Sequence, residues 1–134
     1  MTFLFRNIFY LSLMFLLSLN TNAQCPRSRA WVGGRLSGAF VKIVLQNQDR
    51  INADRFCEGI RRTTHVDSFS IIIIRDSTII FRSQNIGNLF DNNFKKQIEK
   101  IQINDKMLLF NIWGTDYDGK KVFLDPLEFW VTEY

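Results

Sequence analysis

The sequence predicts a mainly β fold, an antiparallel β-sandwich that carries one short helix. Short runs of β-branched and aromatic residues recur along the chain, and turn signals such as Gly-Gly and Asp-Gly separate them. A single segment places its apolar residues at helical spacing instead. We find no internal repeat, low-complexity tract or linker, so residues 24–134 are expected to form one domain.

The first 23 residues carry the pattern of a secretory signal peptide. Arg6 is the charged residue near its start, and Ile8–Leu19 is a nearly unbroken apolar run. Small and polar residues follow and lead to the expected cleavage site at Ala23-Gln24. Because the run is shorter than the about 20 residues that span a membrane, a cleaved signal is favoured over an anchor. A lipoprotein modified at Cys25 is the alternative, although Gln24 is a poor fit before that cysteine. We therefore expect export to the periplasm or the cell surface, with no stable membrane span.

Charge and cysteine content narrow the possible partners. The chain has a net charge of +4, which loses one unit if Arg6 is removed with the signal. Such a mild basic bias does not indicate a nucleic-acid partner. In an oxidising compartment, Cys25 and Cys57 are expected to form one disulfide. Two buried free thiols, or a lipidated Cys25 beside an unpaired Cys57, are the alternatives.

The first half of the chain predicts strands. Ala39–Leu45 follows a glycine-rich stretch and is rich enough in β-branched and aromatic residues to form one. Asp67–Arg75 is the clearest strand in the sequence. A tight turn at residues 76–77 then leads into Thr78–Ser83, so these two segments are expected to pair as a hairpin.

The helix is predicted after residue 90. Phe90, Phe94, Ile98 and Ile101 lie at helical spacing, and lysines and a glutamate fill the positions between them. Asp91 can cap the first turn, and the lysines near the last turn complement the negative end of a helix.

The remaining residues predict three more strands. Met107–Thr115 is the first, and the Asp-Gly pair at 118–119 turns the chain into Lys121–Leu124. Pro126 interrupts the pattern, and Leu127–Thr132 follows with alternating side chains.

The sequence predicts no catalytic residue, no cofactor and no metal site. His65 is the only histidine, and although Asp67 is close in sequence, nothing fixes a nucleophile beside them. Asp116 and Asp118 could hold calcium, but an aspartate-rich hairpin turn explains them more simply. We find neither a nucleophile elbow nor a phosphate-binding glycine loop.

Several predicted strands are apolar on both faces, which is unusual for a sandwich. In Asp67–Arg75, Ile72 and Ile74 oppose Ile71 and Ile73, and Met107–Thr115 shows the same feature. Either the predicted helix covers the second face, or a partner protein does, because large apolar patches are rarely left bare. The residues taken as the candidate partner-binding face are Ile72, Ile74, Leu109, Trp113 and Trp130.

From residue 66 onward the chain resembles the C-terminal periplasmic domain of the GldM/PorM family of gliding motility and type IX secretion. The resemblance lies in VDSFSIII at Val66–Ile73, FKKQIEKIQINDKMLLFNI at Phe94–Ile112 and DGKKVFLDPLEFWV at Asp118–Val131. VGGRLSG at Val32–Gly38 is similar to the opening of that domain. The order and spacing of these segments are more specific than any one of them.

The resemblance implies an immunoglobulin-like module that binds proteins, since in the GldM/PorM family the corresponding domain contacts the ring of the secretion complex. It does not imply the motor role, because we expect neither a retained anchor nor a helical stalk in this chain. The predicted function is therefore a non-enzymatic adaptor in the periplasm or at the cell surface. Its partner would be another envelope protein, such as a type IX secretion component. The oligomeric state is left open.

Two other functions stay open at this stage. A secreted sugar- or peptide-binding domain could use an aromatic platform, for which the candidates are Trp31, Trp113, Tyr117 and Trp130. Clustering of two or more of these on one exposed face would favour that function. A small hydrolase would require His65 beside a serine and an acid.

Overall fold

The computed structural model describes residues 25–134. The predicted signal peptide and the cleavage site at Ala23-Gln24 lie outside the described residues. The described part is mainly β, as predicted, with eight strands and two helices. In chain order these are β1 (Arg29–Trp31), β2 (Gly38–Val41), α1 (Lys42–Gln46), β3 (Asn52–Cys57), β4 (Ile60–Arg75), β5 (Thr78–Ile86), α2 (Asn92–Glu99), β6 (Lys106–Thr115), β7 (Lys121–Leu124) and β8 (Leu127–Thr132).

Strand β4, with 16 residues, organises the sheet. Along one edge, its first half pairs with β3 and its second half with β5, both antiparallel. Along the other edge it pairs antiparallel with β6. The predicted hairpin of β4 and β5 is confirmed, and both of its strands are longer than the sequence pattern indicated.

Strand β6 repeats this arrangement on its own far edge. It pairs with β7 near its end and with β8 near its start, again antiparallel. Strand β2 then joins β8 in parallel, so the sheet is mixed rather than wholly antiparallel. The parallel pair was not predicted, because β2 and β8 lie at opposite ends of the described chain.

The strand predicted at Ala39–Leu45 is wrong in its second half. Strand β2 ends at Val41, and the short helix α1 takes the next five residues. In α1, Leu45 is fully buried, whereas Ile43 and Val44 remain exposed. A short apolar run does not distinguish a strand from a helical turn, and here the position of Leu45 in the core decides between them.

Helix α2 matches its prediction and packs on the inner, core-facing side of the sheet. The Asp91 side chain accepts a hydrogen bond from the Phe94 amide at 2.8 Å, which caps the first turn. The Phe94 ring stacks on Phe81 of β5 and meets Phe90 edge to face, and Phe90 in turn contacts Phe69 of β4. The helix therefore covers the same face of the sheet as the core, and not the opposite one.

The core lies between this inner face, the two helices and the segments that lead to them. Its largest fully buried side chains are Phe40, Phe69, Phe94, Phe129, Leu45, Ile51, Ile71, Ile73, Ile101, Met107, Leu109 and Ile112. Along β4 the buried residues Phe69, Ile71 and Ile73 alternate with less buried ones, as a strand with a single core face requires.

A partly buried ion pair closes the end of the β4–β5 hairpin onto the turn before β6. The Arg75 guanidinium donates to both carboxylate oxygens of Asp105, at 2.9 and 2.8 Å, and the Gln102 amide donates to the same carboxylate. Asp105 is only 1% exposed. Burial alone would raise the pKa of Asp105, but the hydrogen bonds from Arg75 and Gln102 hold it below its usual value.

Candidate protein-binding face

The outer face is the side of the sheet that points away from the core, over β5, β4, β6, β7 and β8. Its side chains follow from the strand register, because directly paired residues point to the same side. On β4 they are Ser68, Ser70, Ile72 and Ile74, which alternate with the buried residues of the inner face. The apolar members of the outer face are Ile72, Ile74, Ile79, Ile86, Leu108, Phe110, Trp113, Phe123 and Trp130.

The structure places four of the five candidate face residues on the outer face. Ile72 and Ile74 are half-buried among their neighbours, whereas Trp113 and Trp130 are 46% and 47% exposed. Leu109 is different. It is fully buried and pairs with Ile71 on one side, so it belongs to the core and its assignment to the outer face was wrong.

A bulge in β6 explains the error at Leu109. Simple alternation puts residues 109 and 113 on the same face, but the pairing with β4 shifts between Ser68 and Ser70. Asn111 lies in this shift with a φ of 48°, which is typical of a residue inserted in a bulge. The extra residue reverses the alternation, so that Leu109 points into the core and Trp113 points out.

Gly114 fits this bulged region because it has no side chain. A Cβ atom at this position would lie 2.8 Å from the His65 carbonyl oxygen and 3.1 Å from the Thr64 side chain. Strands β4 and β6 can therefore approach closely just beyond the bulge, and this approach fixes where Trp113 emerges on the outer face.

Three aromatic residues dominate the exposed part of the outer face. Trp113 and Phe123 meet edge to face, with ring centroids 4.9 Å apart, and Phe123 is 54% exposed. Phe123 was not a candidate, although its position between two inward-facing residues of β7 makes it the outward one. Leu108 and Phe110 were also missed, since only a correct register for β6 places them beside Ile72 and Ser70.

A polar cluster borders the outer face next to Trp113. The Asp67 carboxylate accepts hydrogen bonds from the Lys121 ammonium at 2.7 Å and from the Thr115 hydroxyl at 2.8 Å. The hydrogen bond from Lys121, with help from Thr115, holds the pKa of Asp67 below its usual value although burial opposes it. His65 lies 3.8 Å from the second carboxylate oxygen. The acid is thus engaged by two donors and forms a polar rim to an apolar surface.

The other titratable candidates also have structural partners. Asp116 accepts hydrogen bonds from the amides of Asp118 and Lys120, which shapes the β6–β7 turn, and Asp118 pairs with Arg55 at 3.2 Å. Within residues 25–134, no three histidine, cysteine, aspartate or glutamate side chains gather closely enough to hold a metal ion.

The four residues of the proposed aromatic platform are spread over the molecule. Trp31 donates to Asp54 on β3, and Tyr117 in the β6–β7 turn lies under the Arg62 guanidinium at 4.1 Å. Trp113 and Trp130 share the outer face but belong to rows near its opposite ends. No two of the four contact each other in the ring contacts of the described residues.

The predicted disulfide is present. Cys25 and Cys57 are bonded, which ties the start of the described chain to the end of β3. In the part of the chain that the structure describes, no helix has the length and apolar character that crossing a bilayer requires.

No protein-family model matches the chain, and no curated protein is significantly similar to it in sequence.

Proposed function

We propose that this protein is an exported, non-enzymatic interaction module that binds another protein of the cell envelope through its outer face. The single observation that carries the proposal is the size of the uncovered apolar surface on that face. Helix α2, the element that could have covered it, packs on the inner face instead. A protein partner is the cover that suits such a surface.

The exposed apolar area supports this proposal. Trp113, Phe123 and Trp130 are each about half exposed. Because an aromatic side chain presents roughly 150–250 Å², these three residues alone expose about 300 Å². This exposure is divided over the face, because Trp113 and Phe123 are in contact whereas Trp130 lies in a row near the opposite end. Exposed apolar patches of this kind are often functional. Tryptophan and phenylalanine are also enriched at the centres of protein interfaces.

Export is supported by the disulfide, since such bonds persist in oxidising compartments. The sequence resemblance to the GldM/PorM C-terminal domain supports the finer parts of the proposal. These are an immunoglobulin-like arrangement of the strands and an association with the type IX secretion or gliding machinery, in the periplasm or at the cell surface.

A crosslinking pull-down from the native cell envelope tests the proposal. The tagged protein, its Phe123→Glu variant and its Ile43→Glu variant would be compared by mass spectrometry. Phe123 lies on the outer face, whereas Ile43, at 67% exposed, lies on helix α1 and provides the matched control. We expect Phe123→Glu to lose the envelope protein that the parent and the control retain. Equal recovery by all three would contradict a partner on this face, and recovery of type IX components would support the finer assignment.

The secreted sugar- or peptide-binding function is the weaker candidate. It required two of the four aromatic residues to cluster, and they lie apart. Trp31 does line a surface pocket of about 290 Å³ together with Arg29, Leu36 and Arg61. The side chain of Trp31 is held by Asp54, however, and no second aromatic ring lines this pocket.

A further inference from the structure

We infer that the outer face also binds the outer face of a second copy of this chain, forming a two-fold symmetric dimer when no envelope partner is present. This inference rests on the proposed function, because it takes the outer face as a protein-binding surface. It goes further because it names a second copy of this chain as the bound protein and states which rows of the two outer faces lie opposite each other.

The outer face is built from four cross-strand rows. Each row runs across β5, β4 and β6 in the order given by the strand pairing, and three of the four continue onto β8 or β7. The rows are Ile79–Ile74–Lys106–Trp130, Arg82–Ile72–Leu108–Glu128, Gln84–Ser70–Phe110 and Ile86–Ser68–Trp113–Phe123. From Ser68 to Ile74 the rows cover about 20 Å along the strands, and four strands cover about 15 Å across them.

The second row carries opposite charges at its two ends. Arg82 stands on β5 and Glu128 on β8, with Ile72 and Leu108 between them. Both charged residues are exposed. Arg82 forms no ion pair among the described residues, and Glu128 pairs with Lys106 at 3.4 Å while staying about half exposed.

A two-fold axis that runs parallel to the strands, between β4 and β6, places the outer faces of two copies against each other. Along each row, the order of residues in the second copy is then the reverse of the order in the first. Arg82 then faces Glu128 of the second copy, and Glu128 faces Arg82 of the second copy. The interface therefore gains two opposite-charge contacts that flank Ile72 and Leu108 of both copies, which is a self-complementary arrangement.

The same axis also matches large side chains with small ones. On β4, the outer-face side chains Ser68 and Ser70 are small, whereas Trp113 and Phe110, which pair with them on β6, are large. Reversal of the rows places Trp113 and Phe110 of one copy above Ser68 and Ser70 of the other, and it places Phe123 and Trp130 above Ile86 and Ile79. Ridges that fill troughs in this way give the close packing that a specific interface requires.

The exposed apolar side chains supply part of the area that such a dimer needs. The three half-exposed aromatic residues are joined by Ile79 and Ile86, which are 46% and 81% exposed. A standard interface buries roughly 800 Å² on each partner, and about 300 Å² of that comes here from the aromatic residues alone. An envelope partner that uses the same residues would compete with the second copy.

Sedimentation equilibrium of the purified, disulfide-bonded mature chain tests the inference, with charge exchange as the decisive comparison. We expect a dimer for the parent chain. Arg82→Glu and Glu128→Arg should each raise the dissociation constant about tenfold or more, because each creates two like-charge contacts in the symmetric interface. The double variant should return to within about threefold of the parent, since its charges are again opposite. Lys96→Glu, at an exposed position of helix α2 on the inner side of the sheet, is the control and should leave the dimer unchanged.

A second variant tests the packing independently of charge. Ser68→Trp fills the trough that should receive Trp113 of the second copy, so it should abolish the dimer while circular dichroism shows an unchanged fold. A parent chain that stays monomeric up to high micromolar concentration would overturn the inference. A dimer in which the double charge variant is no tighter than either single variant would overturn it as well.

The outcomes separate this inference from the proposed function. If the chain is monomeric but Phe123→Glu still loses its envelope partner, the dimer is wrong and the adaptor proposal stands. If the charge exchange restores the dimer but no envelope protein depends on Phe123, the dimer stands and the adaptor proposal fails.

Discussion

At the scale of single residues, buried polar side chains fix the loops that shape this molecule. Asn85 is the clearest example, because it is 1% exposed and lies where β5 leads towards α2. Its amide nitrogen donates to the carbonyl oxygens of Gly87 and Leu89, and its carbonyl oxygen accepts from the Asp91 amide. A single buried side chain thus satisfies several backbone groups of this loop.

We predict that Asn85→Ala lowers the free energy of unfolding by about 1–3 kcal/mol, because it leaves several partly buried backbone groups without their partner. Urea denaturation of the variant and the parent chain measures the change. The neighbouring substitution Gln84→Ala, at an exposed position, should change stability by less than about 0.5 kcal/mol. Similar effects of the two substitutions would show that the Asn85 hydrogen bonds do not hold this loop.

The carboxylates of Asp67 and Asp105 predict the acid response. Both have pKa values lowered by folding, so their stabilisation is complete above the unfolded-state pKa of about 3.9 and is lost as pH falls through the lower folded-state values. We expect the urea midpoint to be steady near pH 6 and to fall below about pH 4. Asp105→Asn should be less stable at pH 6 and should lose less on acidification. An unchanged slope in that variant would contradict the role of the Arg75–Asp105 pair.

At the scale of the secondary-structure elements, the bulged crossing of β4 and β6 determines which residues reach the outer face. Local patterns in the sequence predicted the hairpin of β4 and β5, helix α2 with its Asp91 cap, and strands β6 to β8. Local patterns could not predict the parallel pair of β2 with β8, which joins distant parts of the chain. They also could not predict the bulge at Asn111, and a single inserted residue was enough to misplace Leu109.

The fit of Gly114 at this crossing gives a prediction of its own. Gly114→Ala should destabilise the protein by about 1–3 kcal/mol, because the new methyl group would overlap the His65 carbonyl oxygen of the facing strand. Thermal or urea unfolding measures the change. Asn111→Gly is the matched control, since glycine accepts the positive φ of the bulge and should cost less than about 1 kcal/mol. If Gly114→Ala were as stable as the parent chain, the strands could not be as close as described.

At the scale of the whole molecule, the helices and the core lie on one side of the sheet, and many apolar side chains remain on the other side. The disulfide between Cys25 and Cys57 ties the start of the described chain to the β3–β4 hairpin. The sequence predicted this bond and the two-sided apolar strands. It could not decide what covers the outer face, because the direction in which helix α2 packs is a property of the assembled fold.

We predict that replacing both cysteines, Cys25→Ser with Cys57→Ser, lowers the free energy of unfolding. The bond closes a sequence separation of 32 residues. Closing a loop of this length removes conformational entropy from the unfolded chain and so raises its free energy by roughly 3–4 kcal/mol. Urea unfolding of the double variant, compared with the oxidised parent, measures the loss. A difference below about 0.5 kcal/mol would mean that the bond does not restrict the unfolded chain.

Site-specific photo-crosslinking in the native envelope tests the central claim, that the outer face is a protein-binding surface. A photoreactive amino acid would replace Trp113 in one variant and Val44 in another, two positions with similar exposure, 46% and 42%, on opposite sides of the sheet. We expect discrete crosslinked protein adducts from position 113 and none from position 44. Adducts of equal yield from both positions, or none from position 113, would contradict it.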